Sequence, residues 1–156
     1  MQEGDLEYAG FWIRTWAAII DSVLLMLIVF PLLMSIYGRS YFDRPQTGLV
    51  AGGADFLISW VLPAIAVIVF WVAKQATPGK MAISAKIVDA ATGNAPSVGQ
   101  LIGRYFAYFI ASLPIGLGII WIAFDKRKQG WHDKLAGTVV IRKTKHKSDS
   151  VKFGQS

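Results

Sequence analysis

Three long apolar stretches alternate with polar segments along this chain of 156 residues. They run from about Phe11 to Tyr37, from about Phe56 to Ala73 and from about Leu101 to Phe124. A helix needs about 20 mostly apolar residues to cross the hydrocarbon core of a bilayer. Each stretch is therefore a candidate span. Tryptophan and tyrosine residues near the ends of these stretches are typical of membrane interfaces.

The third apolar stretch contains a segment that interrupts helices. Residues 112–118 read Ser-Leu-Pro-Ile-Gly-Leu-Gly, which places a proline and two glycines in the middle of the stretch. Proline removes a helical hydrogen bond and kinks or ends a helix. Because each remaining half is too short to cross a bilayer, we expect two half-helices that enter the membrane and return to the same side. A single proline-kinked span is the alternative.

The distribution of positive charge favours the re-entrant arrangement. A single crossing by the third stretch would place four basic residues outside the cell, namely Lys74, Lys80, Lys86 and Arg104. If the stretch re-enters, Arg39 and Arg44 are the basic residues that lie outside. Cytoplasmic loops of membrane proteins carry an excess of Lys and Arg. We therefore expect the N-terminus, the segment around Lys86 and the C-terminus to be cytoplasmic.

Two segments outside the apolar stretches have the pattern of β-strands. Met81–Asp89 alternates apolar and polar residues, and Gly137–Lys143 is rich in β-branched ones. Because an isolated strand is not stable, we expect the two to pair at the membrane surface. The predicted fold is an all-α integral membrane protein with two transmembrane helices, a Pro/Gly-broken third apolar segment and a small cytoplasmic β-strand pair. Residues 144–156 are predicted to form a basic disordered tail.

Composition supports a membrane protein and argues against an enzyme. Mean hydropathy is +0.45, and charged residues make up 17% of the chain, against roughly 25% in soluble domains. The chain has no cysteine, and its two histidines lack a partner at helical spacing, so we expect no metal site. Thr77–Lys80 lacks the flanking residues of a phosphate-binding loop and is interpreted as a helix end and turn. We predict no cofactor and no catalytic residues.

Two opposite charges lie within the first apolar stretch. Arg14 and Asp21 are seven residues apart, so at about 100° per residue they share one face of a helix. A carboxylate inside a bilayer is costly and usually faces a protein partner or a wet cavity. Arg14 and Asp21 therefore form either an ion pair that locks helices together or a proton or cation site.

Arg104 lies near the start of the third stretch. Its candidate partners are Asp21, Asp125 and Asp133. A long basic side chain near a membrane interface can instead extend to lipid phosphate, and this is the arrangement that we expect.

Basic clusters lie directly beside the third stretch and at the C-terminus. The first cluster consists of Lys126, Arg127 and Lys128, and the second runs from Arg142 to Lys147. Attraction to anionic lipid headgroups explains both clusters. We therefore expect the bilayer, rather than nucleic acid, to be their partner.

Several of these segments together resemble the RDD family of small prokaryotic membrane proteins. The resemblance rests on Arg14, Asp21 and Asp133, which match the three residues after which that family is named, and on the segments 77–93, 124–127 and 130–141. It extends from about Tyr8 to Arg142, so residues 1–143 form an RDD-like membrane domain. The resemblance implies a multi-pass protein of the prokaryotic plasma (inner) membrane, for which transport of undefined ligands is suggested.

Two classes of function follow from these features. The first is a transporter of small ions, such as a cation/proton exchanger, in which Asp21 binds the ion, Arg14 competes with it and Asp133 lies at the cytoplasmic mouth. Two spans and a hairpin cannot enclose a polar pathway, so this class requires a homo-oligomer. The second is a non-transporting membrane partner or regulatory subunit that docks another protein through its cytoplasmic face.

Overall fold

The computed structural model describes residues 6–43, 50, 52–114 and 116–143, which form a mostly helical fold with a small sheet. Helix α1 spans Phe11–Tyr37, the short α2 spans Ser40–Asp43, and α3 spans Gly53–Lys74. Both α1 and α3 are long and apolar enough to cross a membrane. The first two predicted spans are thereby confirmed as helices of sufficient length. The predicted disordered tail lies outside the described residues.

The two long helices expose most of their apolar side chains. Only 6% of the most apolar stretch of each helix is buried within the chain. Apolar surface of this extent is covered by lipid or by other protein. One turn of α3, Leu57–Val61, is a π-helix. Such wide turns inside α-helices are frequent at functional sites.

The third apolar segment is broken at the predicted place. Helix α5 spans Val98–Ser112 and α6 spans Leu117–Ala123, with an angle of 113° between them. Neither helix is long enough to cross a bilayer unaided, since 20 residues are needed for about 30 Å. The two helices pack closely, because a Cβ atom on Gly118 would lie 2.8 Å from the Cα atom of Ala111.

A three-stranded antiparallel sheet lies at one end of the long helices. Strands β1 (Leu6–Tyr8), β2 (Ala85–Asp89) and β3 (Thr138–Lys143) are arranged in the order β1-β3-β2. Ile87 faces Val140, and Tyr8 faces Ile141. The predicted pairing of the second and third strands is confirmed, and β1 adds a strand that the sequence did not predict.

One boundary of the predicted strands is wrong. Met81 and Ala82 end helix α4 (Pro78–Ala82) instead of beginning β2. The reason is local, because Pro78 occupies the first helical position, where its fixed φ angle favours a helix start. The segment Thr77–Lys80 accordingly starts a helix, and its interpretation as a helix end is corrected. A final short helix, α7 (Trp131–Ala136), precedes β3.

The main core lies between the sheet and the helices. Its buried members are Ala9, Trp71, Ala85, Ile87, Leu101 and Val140. A smaller apolar cluster covers the opposite face of the sheet and contains Leu6, Val88, Val139 and Ile141. Both faces of β3 are therefore buried, which is why its β-branched sequence does not alternate between apolar and polar residues.

The outer edge of β2 is closed by Gln75, the residue that follows α3. Gln75 adopts a left-handed conformation with φ 56°. Its carbonyl oxygen accepts a hydrogen bond from Ile87 N at 2.6 Å, and its Nε2 donates to Ile87 O at 3.3 Å. The middle of this strand edge is thus already paired, which protects it from adding another strand.

Candidate functional site

A buried carboxylate between two guanidinium groups joins three helices. Arg14 Nη1 of α1 lies 2.5 Å from Asp133 Oδ2 of α7, and Arg104 of α5 pairs with the other oxygen of Asp133. The side chains of Arg104 and Asp133 are fully buried, and that of Arg14 is 9% exposed. We call these three residues the Arg–Asp–Arg cluster.

Further hydrogen bonds orient the guanidinium of Arg14. Its Nε donates to Ala9 O at 2.8 Å, and its Nη2 donates to Lys128 O at 2.5 Å. Arg14 thereby links the start of α1 to the loop before α7. Charge-assisted bonds of this kind are stronger than neutral ones.

Further bonds connect the cluster to the sheet and to the loop before α7. Arg104 Nη1 donates to the hydroxyl of Thr138 at 2.6 Å, and Gly130 N donates to Asp133 Oδ2 at 3.0 Å. Burial would raise the pKa of Asp133, but Arg104 and Arg14 outweigh it and hold this pKa well below its usual range. Asp133 is therefore ionised at all physiological pH values, which suits a structural ion pair and not a proton carrier.

The expected pairing of Arg14 with Asp21 is not formed. Asp21 Oδ2 accepts a hydrogen bond from the Thr77 hydroxyl at 2.5 Å, and its Oδ1 accepts one from Gly79 N at 2.6 Å. Arg14 binds Asp133 instead, although the two residues are 119 positions apart. Helical spacing indicated a shared face correctly, but it carries no information about partners on other helices.

Gly79 is required for the contact between α4 and α1. A Cβ atom at this position would lie 2.1 Å from Ala17 O and 2.9 Å from the Asp21 carboxyl carbon. The absence of a side chain lets the amide of Gly79 reach the carboxylate. Sequence reasoning missed this role of the segment at residues 77–80, because its partner is remote in sequence.

A cavity of about 410 Å³ lies beside Asp21, between α1, α3 and α5. It is lined by Ala18, Asp21, Ser22, Val67, Trp71, Lys80, Tyr105, Tyr108, Phe109, Ser112 and Ile119. We call it the Asp21 cavity. Trp71 is 2% exposed, and its Nε1 donor has no acceptor among the described residues. Because a buried donor needs an acceptor, a polar ligand or water suits this cavity.

Lys80 brings a positive charge into the Asp21 cavity. Its Nζ lies 3.5 Å from the Thr77 hydroxyl and 5.9 Å from the centre of the Trp71 ring. The hydroxyl of Thr77 in turn donates to Asp21, so the three polar groups form a chain. Burial lowers the pKa of Lys80, as expected when a charged group leaves water.

Tyr108 connects the Asp21 cavity to the Arg–Asp–Arg cluster. Its hydroxyl accepts a weak hydrogen bond from Arg104 Nη2 at 3.4 Å. Its ring stacks on His132, with ring centres 3.8 Å apart and an interplanar angle of 19°. His132 is 1% exposed, and burial lowers its pKa to about 3. Sequence analysis considered the histidines only as metal ligands and missed the position of His132 in the core.

The other predicted site residues are dispersed. The expectation that Arg104 extends to lipid is wrong, since its side chain is fully buried. Asp125 pairs with Lys134 at 2.5 Å.

In the basic cluster at residues 126–128, Arg127 Nη2 donates to Ala90 O at 2.5 Å. Lys128 Nζ donates to a backbone oxygen at 3.1 Å, whereas Lys126 is exposed. Contact of this cluster with lipid stays a prediction.

A second polar cluster, at the start of α3, was not predicted. The carboxylate of Asp55 accepts hydrogen bonds from the hydroxyls of Tyr41 and Ser59, both at 2.8 Å. The backbone amide of Asp55 donates to the Tyr37 hydroxyl at 3.0 Å. Asp55 is 3% exposed. Within the described residues, no group of three potential metal ligands is present.

Comparison with known proteins supports the resemblance inferred from the sequence. A profile of the RDD family matches residues 8–137. Uncharacterized protein YxaI of Bacillus subtilis (strain 168) is 31% identical over 149 residues, which cover 86% of this chain and 97% of YxaI. Uncharacterized membrane protein YteJ of the same organism is 28% identical over 153 residues, with coverages of 90% and 86%.

A third relative aligns over a shorter region. Uncharacterized protein RP437 of Rickettsia prowazekii (strain Madrid E) is 49% identical over 75 residues. These residues are 48% of this chain and 41% of RP437. No solved structure matches the chain.

We expect Asp133→Asn to lower stability strongly, because it leaves the buried Arg104 without a counter-charge. Breaking one partner of a buried ion pair costs about 3 to 5 kcal/mol. Lys134→Gln is the control, since it removes the 45% exposed partner of the Asp125 ion pair, leaves the backbone hydrogen bonds of Asp125 in place and costs at most about 1 kcal/mol. Thermal unfolding in detergent measures both. Equal losses for the two variants would contradict a central role of the cluster.

We expect His132 to make the protein less stable in mild acid. The unfolded chain binds a proton on His132 near its ordinary pKa of about 6.5, whereas the folded chain does so only near about 3. The free energy of unfolding should therefore fall by about 2 kcal/mol from about pH 7 to about pH 5. His132→Phe keeps the stacking on Tyr108 and should remove this part of the decline. An identical pH profile for both proteins would contradict the assignment.

Proposed function

This chain belongs to the RDD family, and we propose that it is a membrane transporter that exchanges a small cation for a proton at the Asp21 cavity. The observation that carries the proposal is the chain of polar groups from Lys80 through Thr77 to Asp21. It places one carboxylate and one titratable cation at a single cavity. Intramembrane groups of this kind commonly form ion and proton pathways.

Exchange follows from competition between two cations, the Lys80 ammonium and the transported ion, for one position beside Asp21. With Lys80 protonated, its ammonium occupies the cavity near the Trp71 ring. When the ammonium releases its proton to water, an incoming monovalent cation takes its place beside Asp21, and the charge of the cavity is unchanged. The lowered pKa of Lys80 makes the release of the proton easier.

This proposal changes the role assigned to Arg14. The sequence suggested that Arg14 competes with the ion for Asp21, but its guanidinium is committed to Asp133. Lys80 replaces it as the competing charge. Arg14 and Asp133 then act as structural residues, whereas Asp21 remains the proposed ion ligand.

The sheet supports the topology that the charge distribution favours. Its strands precede α1, follow α3 and follow α6, and strands of one sheet lie on one side of a bilayer. If α1 and α3 each cross the membrane, α5 and α6 must enter and return. We place the sheet in the cytoplasm, on the inner face of a prokaryotic plasma membrane, because Lys and Arg residues accumulate on that side.

A complete pathway requires additional copies of the chain. Since α1 and α3 bury little of their apolar surface within one copy, they are available to pack against another. A homo-oligomer would also cover the exposed Ser22 at the rim of the Asp21 cavity, which lowers the cost of polar groups at membrane depth.

Ion flux into liposomes tests the transport proposal. When sodium or potassium is more concentrated outside, wild-type protein should carry the cation into the liposome and protons out. A pH-sensitive dye in the lumen reports the loss of protons. Asp21→Asn should abolish cation flux because asparagine cannot ionise. Lys80→Gln should uncouple cation movement from proton movement. Lys126→Gln, at an exposed position, is the matched control and should transport like wild type.

Two results would overturn the proposal. One is an absence of wild-type flux with all alkali cations in well-folded protein. The other is wild-type exchange in both Asp21→Asn and Lys80→Gln. Either result would favour the second candidate, a non-transporting partner or regulatory subunit. The Arg–Asp–Arg cluster suits that role, since it fixes the sheet to the helices as one rigid unit.

Labelling of single cysteines tests the topology, because the chain contains no cysteine of its own. We expect a membrane-impermeant maleimide applied to intact spheroplasts to label Arg39→Cys and to spare Lys86→Cys and Lys143→Cys. All three positions are exposed. Labelling of Lys86→Cys and Lys143→Cys from opposite sides would exclude a re-entrant third segment.

A further inference from the structure

A second cavity lies between the end of α3, α4 and the end of the sheet. Its volume is about 440 Å³. It is lined by Leu6, Lys74, Ala76, Met81, Ser84, Ala85, Lys86, Ile141, Arg142 and Lys143. We call it the basic pocket. We propose that the basic pocket binds the headgroup of an anionic phospholipid.

The charges around the basic pocket favour an anion. Four of its lining residues are basic, namely Lys74, Lys86, Arg142 and Lys143. Within the described part of the chain, Glu7 is the carboxylate that reaches this region, and it pairs with Arg142. The three lysines are in no ion pair among the described residues. Clustered Lys and Arg residues beside a membrane are the typical recognition site for acidic lipid headgroups.

The position of the basic pocket points to a lipid rather than a free anion. Lys74 is the last residue of α3, so the pocket lies at the end of a helix long enough to span the membrane. Headgroup phosphates lie at this level of a bilayer. The lining also contains apolar residues, including Met81, which is 42% exposed. Such residues suit the glycerol and upper acyl chain of a lipid.

The basic pocket combines the start of the second predicted lipid-binding cluster, Arg142 and Lys143, with Lys74 and Lys86, which no prediction linked to lipid. In the first predicted cluster, Arg127 and Lys128 donate to backbone oxygens inside the fold. Their charges are partly used in holding loops. The lysines of the basic pocket come from separate segments, the end of α3 and the two strands β2 and β3, and sequence proximity could not reveal their meeting.

Lipid binding by two matched triple variants tests this proposal. The full chain is reconstituted in nanodiscs of phosphatidylcholine with increasing phosphatidylglycerol, and retained lipids are counted by native mass spectrometry. The pocket variant is Lys74→Gln, Lys86→Gln and Lys143→Gln. The control variant has the same net charge and is Lys126→Gln, Lys128→Gln and Lys134→Gln. Wild type should retain phosphatidylglycerol and the pocket variant should lose it, whereas the control should lose only the smaller share that the basic cluster at residues 126–128 contributes.

The expected size of the effect follows from the number of charges removed. A basic residue near an anionic surface strengthens binding about fivefold, so the pocket variant should bind phosphatidylglycerol roughly 100-fold more weakly. If this triple variant does not fold, each single variant should bind about fivefold more weakly. These measurements do not depend on transport and separate this proposal from the exchange proposal.

Three outcomes would overturn the proposal. Equal losses in the pocket and control variants would indicate general attraction between a basic protein and an acidic membrane. Displacement of phosphatidylglycerol by inorganic phosphate or glycerol phosphate at a similar affinity would indicate a site for a soluble phosphate. Retention of phosphatidylglycerol by the pocket variant would likewise exclude this pocket.

Discussion

The carboxylate of Asp133, buried between the guanidinium groups of Arg14 and Arg104, is the interaction on which the rest of the structure depends. It joins the start of α1, the middle of α5 and the helix before β3. Two arginines and one aspartate leave one excess positive charge, which hydroxyl and carbonyl oxygens surround. Such a cluster is stabilising only while every member is present, because one missing partner leaves an uncompensated buried charge. It therefore specifies one arrangement of the helices and the sheet.

The aspartates of the RDD signature have different physical roles. Asp133 is fully buried and paired with two guanidinium groups, so its charge is fixed. Asp21 is partly exposed and accepts hydrogen bonds from a hydroxyl and a backbone amide, which compensate its charge less completely. Asp133 joins three helices by ion pairs, whereas Asp21 joins α1 to α4 by hydrogen bonds and borders a cavity. The two positions therefore need not share a function.

Local patterns in the sequence predicted the elements well and their partners poorly. The apolar stretches, the break around Pro114 and the two β-branched segments all correspond to observed elements, because length and periodicity are local properties. The predicted pairing of Arg14 with Asp21 was wrong, since a helix face defines the direction of a side chain but not the group on another helix that it contacts. β1 was missed because its three residues are too few for a pattern. Lys80 was treated as part of a turn, since its approach to Asp21 depends on how α4 packs against α1.

Burial inside the protein explains why the charges of the Arg–Asp–Arg cluster are so closely coordinated. An uncompensated buried charge is costly, and the structure surrounds Arg14, Arg104 and Asp133 with ion pairs and with hydroxyl and carbonyl oxygens. Lys80 differs, because its contacts are a hydroxyl at 3.5 Å and the face of an aromatic ring. These groups stabilise an ammonium weakly, so the cost of losing the proton is small compared with that for a lysine in an ion pair. A group held in this way can change its charge without breaking the fold, since the Arg–Asp–Arg cluster maintains the helix arrangement independently.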